Sequence, residues 1–494
     1  FPLFAWLNGD LHAHMMSTSF LLLVATLCLG YWWERDASRR RLLVLGVVPV
    51  LGGMLAVVNT WSFPSVAGLV FLTAYFAPRP PGDLLPAGVR DSLPVTDSWY
   101  GAELARLAGA LALAGVVGAL GLVWSLPFWT STASGRSLAL VTDHSPLWGL
   151  LLVHGAFLLV AVLFLARWVN AGRPRREWGL ALGAVLVGVA LALLTGIPAL
   201  GLCLPLLGVA WFVLARDRTR SVRRPGFGPD IDVAVRRPAF ETVLFVAGLG
   251  LVLLVDLVYV REKAGPGRMN TVFKVYAQAW ALWAPAAAAM VARLVADPPE
   301  LPSALGLELS ASRRRAVVSV LAAALVVSTG FYGGFALYNR FTDDSPVATA
   351  EDPTLDGLAY VDVYHAGEAE AIQWLDDRPG RPHIVSAPGT STYRWVNAPS
   401  SLTGLPTVVG WAHEIGYRNR TVYQRRVDDV ELIYTADPDY QAYLLDVYDV
   451  QYVYVGPIER ERYGDVSFDE VPGVTPAVRK GEVVVYAVDQ SALD

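Results

Sequence analysis

The chain has 494 residues, 54% of them hydrophobic and 17% charged, with a mean hydropathy of +0.42. Water-soluble domains carry about 25% charged residues, so this balance excludes an ordinary soluble globule and points to lipid. The net charge of −5 averages two unlike parts: residues 1–339 hold 27 Lys+Arg against 18 Asp+Glu, and residues 340–494 hold 12 against 26.

In chain order, apolar stretches suited to about 30 Å of hydrocarbon are expected at 15–33, 42–58, 63–77, 101–126, 147–166, 177–194, 198–214, 241–260, 276–295 and 316–338. The third, sixth and seventh read as short or interrupted. The loops between them alternate in charge. With Asp10 placed outside, the inner loops hold 21 arginines, whereas the outer loops hold Arg136, Arg261, Lys263, Arg268 and Lys274. The positive-inside rule fixes that orientation, and ten crossings leave residues 340–494 outside.

The expected fold is therefore mainly α: a polytopic helical membrane bundle of about ten spans over 1–339, then a small extracytoplasmic α/β domain over 340–494. The chain opens inside a motif-like segment, so an N-terminal part is expected to be missing. Cys28 and Cys203 both lie in apolar runs and read as small buried hydrophobes, without a disulfide framework. In the tail, Ala369, Ile372 and Leu375 have helical spacing over 366–377. Segments 383–386, 452–455 and 483–486 read as strands, and 439–448 as a helix.

Every unusual loop falls on the outer face. Asp10, His12 and His14 alternate, so an extended chain points all three side chains to one side. A carboxylate with two imidazoles is a first shell for a divalent cation such as Mg or Mn, or a base with its orienting partners. The plainer reading is that Asp10 caps a helix starting near His12. Segment 261–274 carries Arg261, Lys263, Arg268 and Lys274 against the charge rule, with Asn270 among them as a further candidate for substrate binding, and such cations grip phosphate oxygens. Its plainer reading is snorkelling at helix ends, with Arg268 paired to an acid of the tail. In the tail, Trp411, His413, Glu414, Tyr417, Arg418 and Arg420 form a cluster of the kind that contacts sugar or phosphate. Asp143 and His144 are a weaker pair, and Asp256 is an acid placed inside a span, a default functional position. The inner arginines reflect topology, and no nucleic-acid partner is implied.

Four segments together resemble the Chlor_Arch_YYY family, a domain of unknown function in archaeal and Chloroflexi membrane proteins. They are Gly9-Asp-Leu-His-Ala-His14, Asn59-Thr-Trp-Ser-Phe-Pro64, Arg268-Met-Asn-Thr-Val-Phe-Lys274 with Tyr276-Ala-Gln-Ala-Trp280, and Gly404-Leu-Pro-Thr-Val-Val-Gly-Trp411 with His413 and Glu414. Ala13 and Ser62 depart from the family pattern, which tends to show Pro and an acid there. The architecture is similar to the GT-C glycosyltransferases. That resemblance implies a lipid-phosphate-linked sugar donor, Asp10 as carboxylate, and Arg268 and Lys274 as the phosphate grip. The function expected is sugar transfer at the outer membrane surface. The alternatives are a transporter or flippase of a lipid-linked anion and a non-catalytic surface-assembly protein.

Overall fold

The computed structural model describes residues 12–86, 88, 99–131, 137–170, 175–222, 239–261, 267–299, 309–342, 356–416 and 418–493. Asp10, Lys263 and Tyr417 lie outside the described residues. The chain divides into two units, one reaching Phe335 and the other running from Ala336 onward.

The first unit is a helical membrane bundle. Helix α1, Ala13–Trp33, has 21 residues and so rises about 31 Å, the thickness of the hydrocarbon layer. Helix α2, Ala37–Val58, starts at Asp36, whose carboxylate accepts the Arg39 amide at 2.8 Å. It carries a π-helical stretch, Leu42–Val47, just before Pro49, which has no amide to donate. Helix α3, Thr60–Phe76, opens with a 3-10 turn at Thr60–Ser62 and has Pro64 in its first turn, where a missing amide costs nothing.

Next come α4 (Trp99–Trp124), α5 (Leu147–Asn170), α6 (Arg175–Thr195), α7 (Pro198–Val222), α8 (Phe240–Val255), α9 (Met269–Ala296) and α10 (Ala311–Thr342). Among the described residues, seven helices are long and apolar enough to cross a membrane, and α3, α8 and the apolar part of α6, Leu182–Thr195, are shorter. The third and sixth segments are thus short as expected; the seventh, expected to be short or interrupted, is the 25-residue α7 with Pro205 inside it, and the eighth is short as well. Helix α8 stops early because Asp256 caps it and the chain turns into strand β2, Val258–Arg261. Strand β1, Ser137–Leu140, pairs antiparallel with β2, Ser137 opposite Arg261; the sequence reading did not foresee this ribbon.

The core runs through Leu21, Leu55, Leu69, Phe164, Phe245, Leu249 and Trp283, all nearly inaccessible. Helices α8 and α9 lie so close that a Cβ at Gly248 would stand 2.2 Å from Trp283 Nε1. That nitrogen donates to the Phe245 carbonyl at 3.0 Å. In contrast, α10 has no buried residue.

The second unit is α/β. Helix α11 (Ala366–Asp376) precedes strand β3 (Ile384–Val385); then come α12 (Arg420–Thr435), α13 (Pro438–Val447), β4 (Tyr452–Val455), α14 (Pro457–Tyr463), β5 (Val474–Lys480) and β6 (Val483–Val488). The sheet order is β3-β4-β6-β5, with β3 parallel to β4 and the other pairs antiparallel. Thr407 and Trp411 add parallel bridges to Ile384 and Gly389. Caps set the helix starts: Asn419 accepts the Thr421 amide at 2.8 Å, and Asp437 accepts the Tyr440 amide at 3.1 Å. The strand expected over 383–386 is only two residues long, while β5, α12 and α14 were not foreseen.

Candidate functional site

Three segments distant in sequence meet at one end of the bundle. His12 is the N-cap of α1 and His14 is buried in its first turn. The two therefore do not share one side of an extended strand; instead their Nδ1 atoms lie 2.9 Å apart. The His14 ring meets Phe273 of α9 edge-on at 4.7 Å. Asn59, at the junction of α2 and α3, donates to Ser17 Oγ and Ser62 Oγ, each at 3.0 Å. Ser62 is fully buried. It is small enough to accept from Asn59 in a packed corner, where a carboxylate would bring an added charge.

Lys274, nine-tenths buried, places its ammonium 5.4 Å from the centre of the Trp61 ring, a cation–π arrangement. Gln278, one turn further along α9, accepts from Ser65 Oγ at 2.6 Å and donates to the carbonyls of Trp61 and Lys274 at 3.3 and 3.2 Å. Sequence reading passed over Ser17 and Ser65, and took Trp61 and Gln278 only as members of family-like segments, without a role. The available signal was a glutamine one turn after a lysine in an otherwise apolar helix.

Arg268 follows a different course from the one expected. Its Nη1 donates to Asp256 Oδ1 at 2.8 Å and to the Val255 carbonyl at 3.1 Å, and its Nη2 donates to Ser145 Oγ at 3.0 Å. Asp256 is wholly buried; its Oδ1 also accepts the Ser145 amide at 2.9 Å, and its carbonyl bonds His144 Nδ1 at 2.9 Å. The partner of Arg268 is thus an acid of the same unit, and the guanidinium is spent on fastening loop 141–146 to the α8 terminus. Arg261 is exposed at the end of β2, and Asn270 is exposed on the first turn of α9.

For a cation, the described residues hold no group of three or more His, Cys, Asp or Glu able to bind a metal ion. His12 and His14 supply two close imidazole nitrogens, and Asp10 stands two positions earlier in the chain.

In the second unit, Trp411 donates its indole proton to the Val396 carbonyl at 2.8 Å. Its ring lies 6.2 Å from that of His413. Glu414 Oε1 accepts the Gly410 amide at 2.6 Å, and Oε2 lies 3.3 Å from Arg418 Nε. Tyr393, which sequence reading did not single out, closes the group, with its ring 5.9 Å from Trp411 and 5.4 Å from His413.

No curated protein matches the chain. Residues 1–283 match a family described as "Uncharacterized membrane protein (DUF2298)". Since that match takes in more than half the chain, with His12, His14, Asn59, Asp256, Arg268, Lys274 and Gln278 inside it, the protein belongs to the DUF2298 family of membrane proteins.

Proposed function

We propose that the first unit is a GT-C-like transferase that moves a sugar from a lipid-phosphate carrier to an acceptor at the outer membrane surface. The observation that carries this reading is the convergence of His14, Asn59, Trp61, Lys274 and Gln278 from three segments at one end of an apolar bundle. A buried ammonium beside hydrogen-bonding groups suits the phosphate of a lipid-linked donor, whose charge grows as the sugar departs.

Asp10 and the His12–His14 pair would take the acceptor proton or hold a divalent cation, which would polarise the phosphate. Lys274 serves as the phosphate grip, joined by Arg261. Arg268 is a positioning residue, because its donors are occupied by Asp256, Val255 and Ser145. The architectural resemblance to the GT-C glycosyltransferases supports the same assignment. An extracytoplasmic tail follows from the arginine bias of the opposite loops.

A transporter of a lipid-linked anion needs ionisable groups near the midplane. The buried pairs Glu241–Arg293 and Asp256–Arg268 instead sit at opposite ends of α8, which favours the transferase.

The test is a glycan profile of cells producing Lys274→Met, His14→Ala or Asp10→Asn in place of the natural protein. At equal protein levels, each variant is expected to cut surface glycan transfer about a hundredfold or more, the scale of one removed acid–base or charge contribution. Unchanged glycans in all three would remove this site from any transfer reaction.

A further inference from the structure

We propose that the carboxyl edge of the parallel strands in the second unit is a carbohydrate-binding site, with Tyr393 as its stacking platform. This goes beyond the transferase reading, since it concerns binding by the tail and holds whether or not the first unit transfers a sugar.

The placement comes from topology. Strands β3 and β4 run parallel, and the Thr407–Trp411 segment bridges in parallel on the other side of β3. Ligands of open α/β sheets lie outside the carboxyl ends of such strands. Loop 386–397, segment 409–416 and the start of α14 all leave from that edge.

These connections are tied together. Glu459 accepts the Ala387 amide at 2.7 Å and the Gly456 amide at 2.9 Å. Asn397 donates to Ser386 Oγ at 2.9 Å and to the Val409 carbonyl at 3.3 Å. The Ala412 amide donates to the Gly389 carbonyl at 2.9 Å. A Cβ at Gly389 would stand 2.2 Å from Trp411 Cδ1, so only glycine leaves room for the indole.

On this rigid frame Tyr393 is held at φ +59°. A bulky residue in the left-handed region costs about 1–3 kcal/mol. Burial does not repay that cost, because Tyr393 is 81% exposed. The strained backbone instead sets the ring in edge-to-face contact with Trp411 and His413. Strained residues of this kind cluster at ligand sites.

The surroundings select the ligand. An exposed aromatic face takes the apolar C–H face of a pyranose. The imidazole of His413 and the Glu414–Arg418 pair, 3.3 Å apart, are polar partners for its hydroxyls. A ring serving only to dip into lipid headgroups would have no use for an ion pair and an imidazole beside it.

The experiment uses the full chain in nanodiscs, with saturation-transfer NMR and tryptophan fluorescence, and chitobiose and mannobiose as probes. At least one disaccharide is expected to bind the natural protein. Tyr393→Gly should weaken that binding by about tenfold, the worth of one aromatic stacking contact, without lowering the melting temperature, while Tyr393→Phe should retain it. The proposal is overturned if neither disaccharide binds, or if Tyr393→Gly binds as well as the natural chain. It is also overturned if Tyr393→Gly changes only the quenching of tryptophan by doxyl-labelled lipid, which would assign the ring to the membrane surface.

Discussion

Arg268 shows how much a single residue's meaning depends on what surrounds it. In sequence it is a cation on the wrong side of a charge rule, and a phosphate ligand accounts for it as well as an ion pair does. In the fold it pairs with Asp256, twelve positions earlier and wholly buried. A buried carboxylate is costly unless paired, and removing one partner of such a pair costs about 3–5 kcal/mol. Arg268→Leu should therefore lower the melting temperature of the purified protein steeply, and adding Asp256→Leu should restore most of the loss. If Arg268→Leu keeps its stability, Asp256 is held by something other than this pair. Asp256 could be picked out in the sequence as an acid inside an apolar run. Its partner could not, because the turn through β2 that brings Arg268 back depends on the pairing of β1 with β2.

At the scale of elements, the long apolar helices and the buried strands β4 and β6 were legible at their places, whereas β1, β2, β5 and the helices α12 and α14 were not. Helices α11 and α13 match the segments their spacing marks out, since a 3.6-residue period over three turns is a strong signal. Strand β3 lies inside the expected 383–386 but is two residues long, and β5, which was not expected, places Pro476 at a register shift.

The pairing of α12 with α13 is fastened by Tyr448, whose hydroxyl donates to Asp429. Burial, then that bond and the nearby Asp429 charge, push the tyrosine from 10.0 up to about 12. The folded value is raised, so this contribution is fully present below pH 10.0 and is lost as pH rises through about 12. The stability difference between the natural chain and Tyr448→Phe should be constant up to pH 10.0 and shrink across that window. Denaturant titrations at stepped pH measure it, and a difference that stays flat to pH 12 would show that the bond does not discriminate the protonation states.

For the whole molecule, the prediction concerns which way the bundle faces. The proposed orientation, with the second unit outside the cell, rests on the arginine bias of the opposite loops. The native thiols Cys28 and Cys203 are buried, so an added thiol can be read without interference. Asp465 is exposed in the second unit. Asp465→Cys should react with a membrane-impermeant maleimide in intact cells; reaction only after lysis would reverse the orientation and move the proposed transfer to the inner surface.

The sequence by itself determined that the chain is a polytopic helical membrane protein with a chemically different tail. Hydropathy and charge act along the chain and can be summed there without knowing any contact. Tertiary structure alone decided which polar residues meet. His14, Asn59, Trp61, Lys274 and Gln278 come together only because α1, the α2–α3 junction and α9 pack at one end. Side-chain contact falls off within a few ångströms, while these residues stand up to 264 positions apart in the chain.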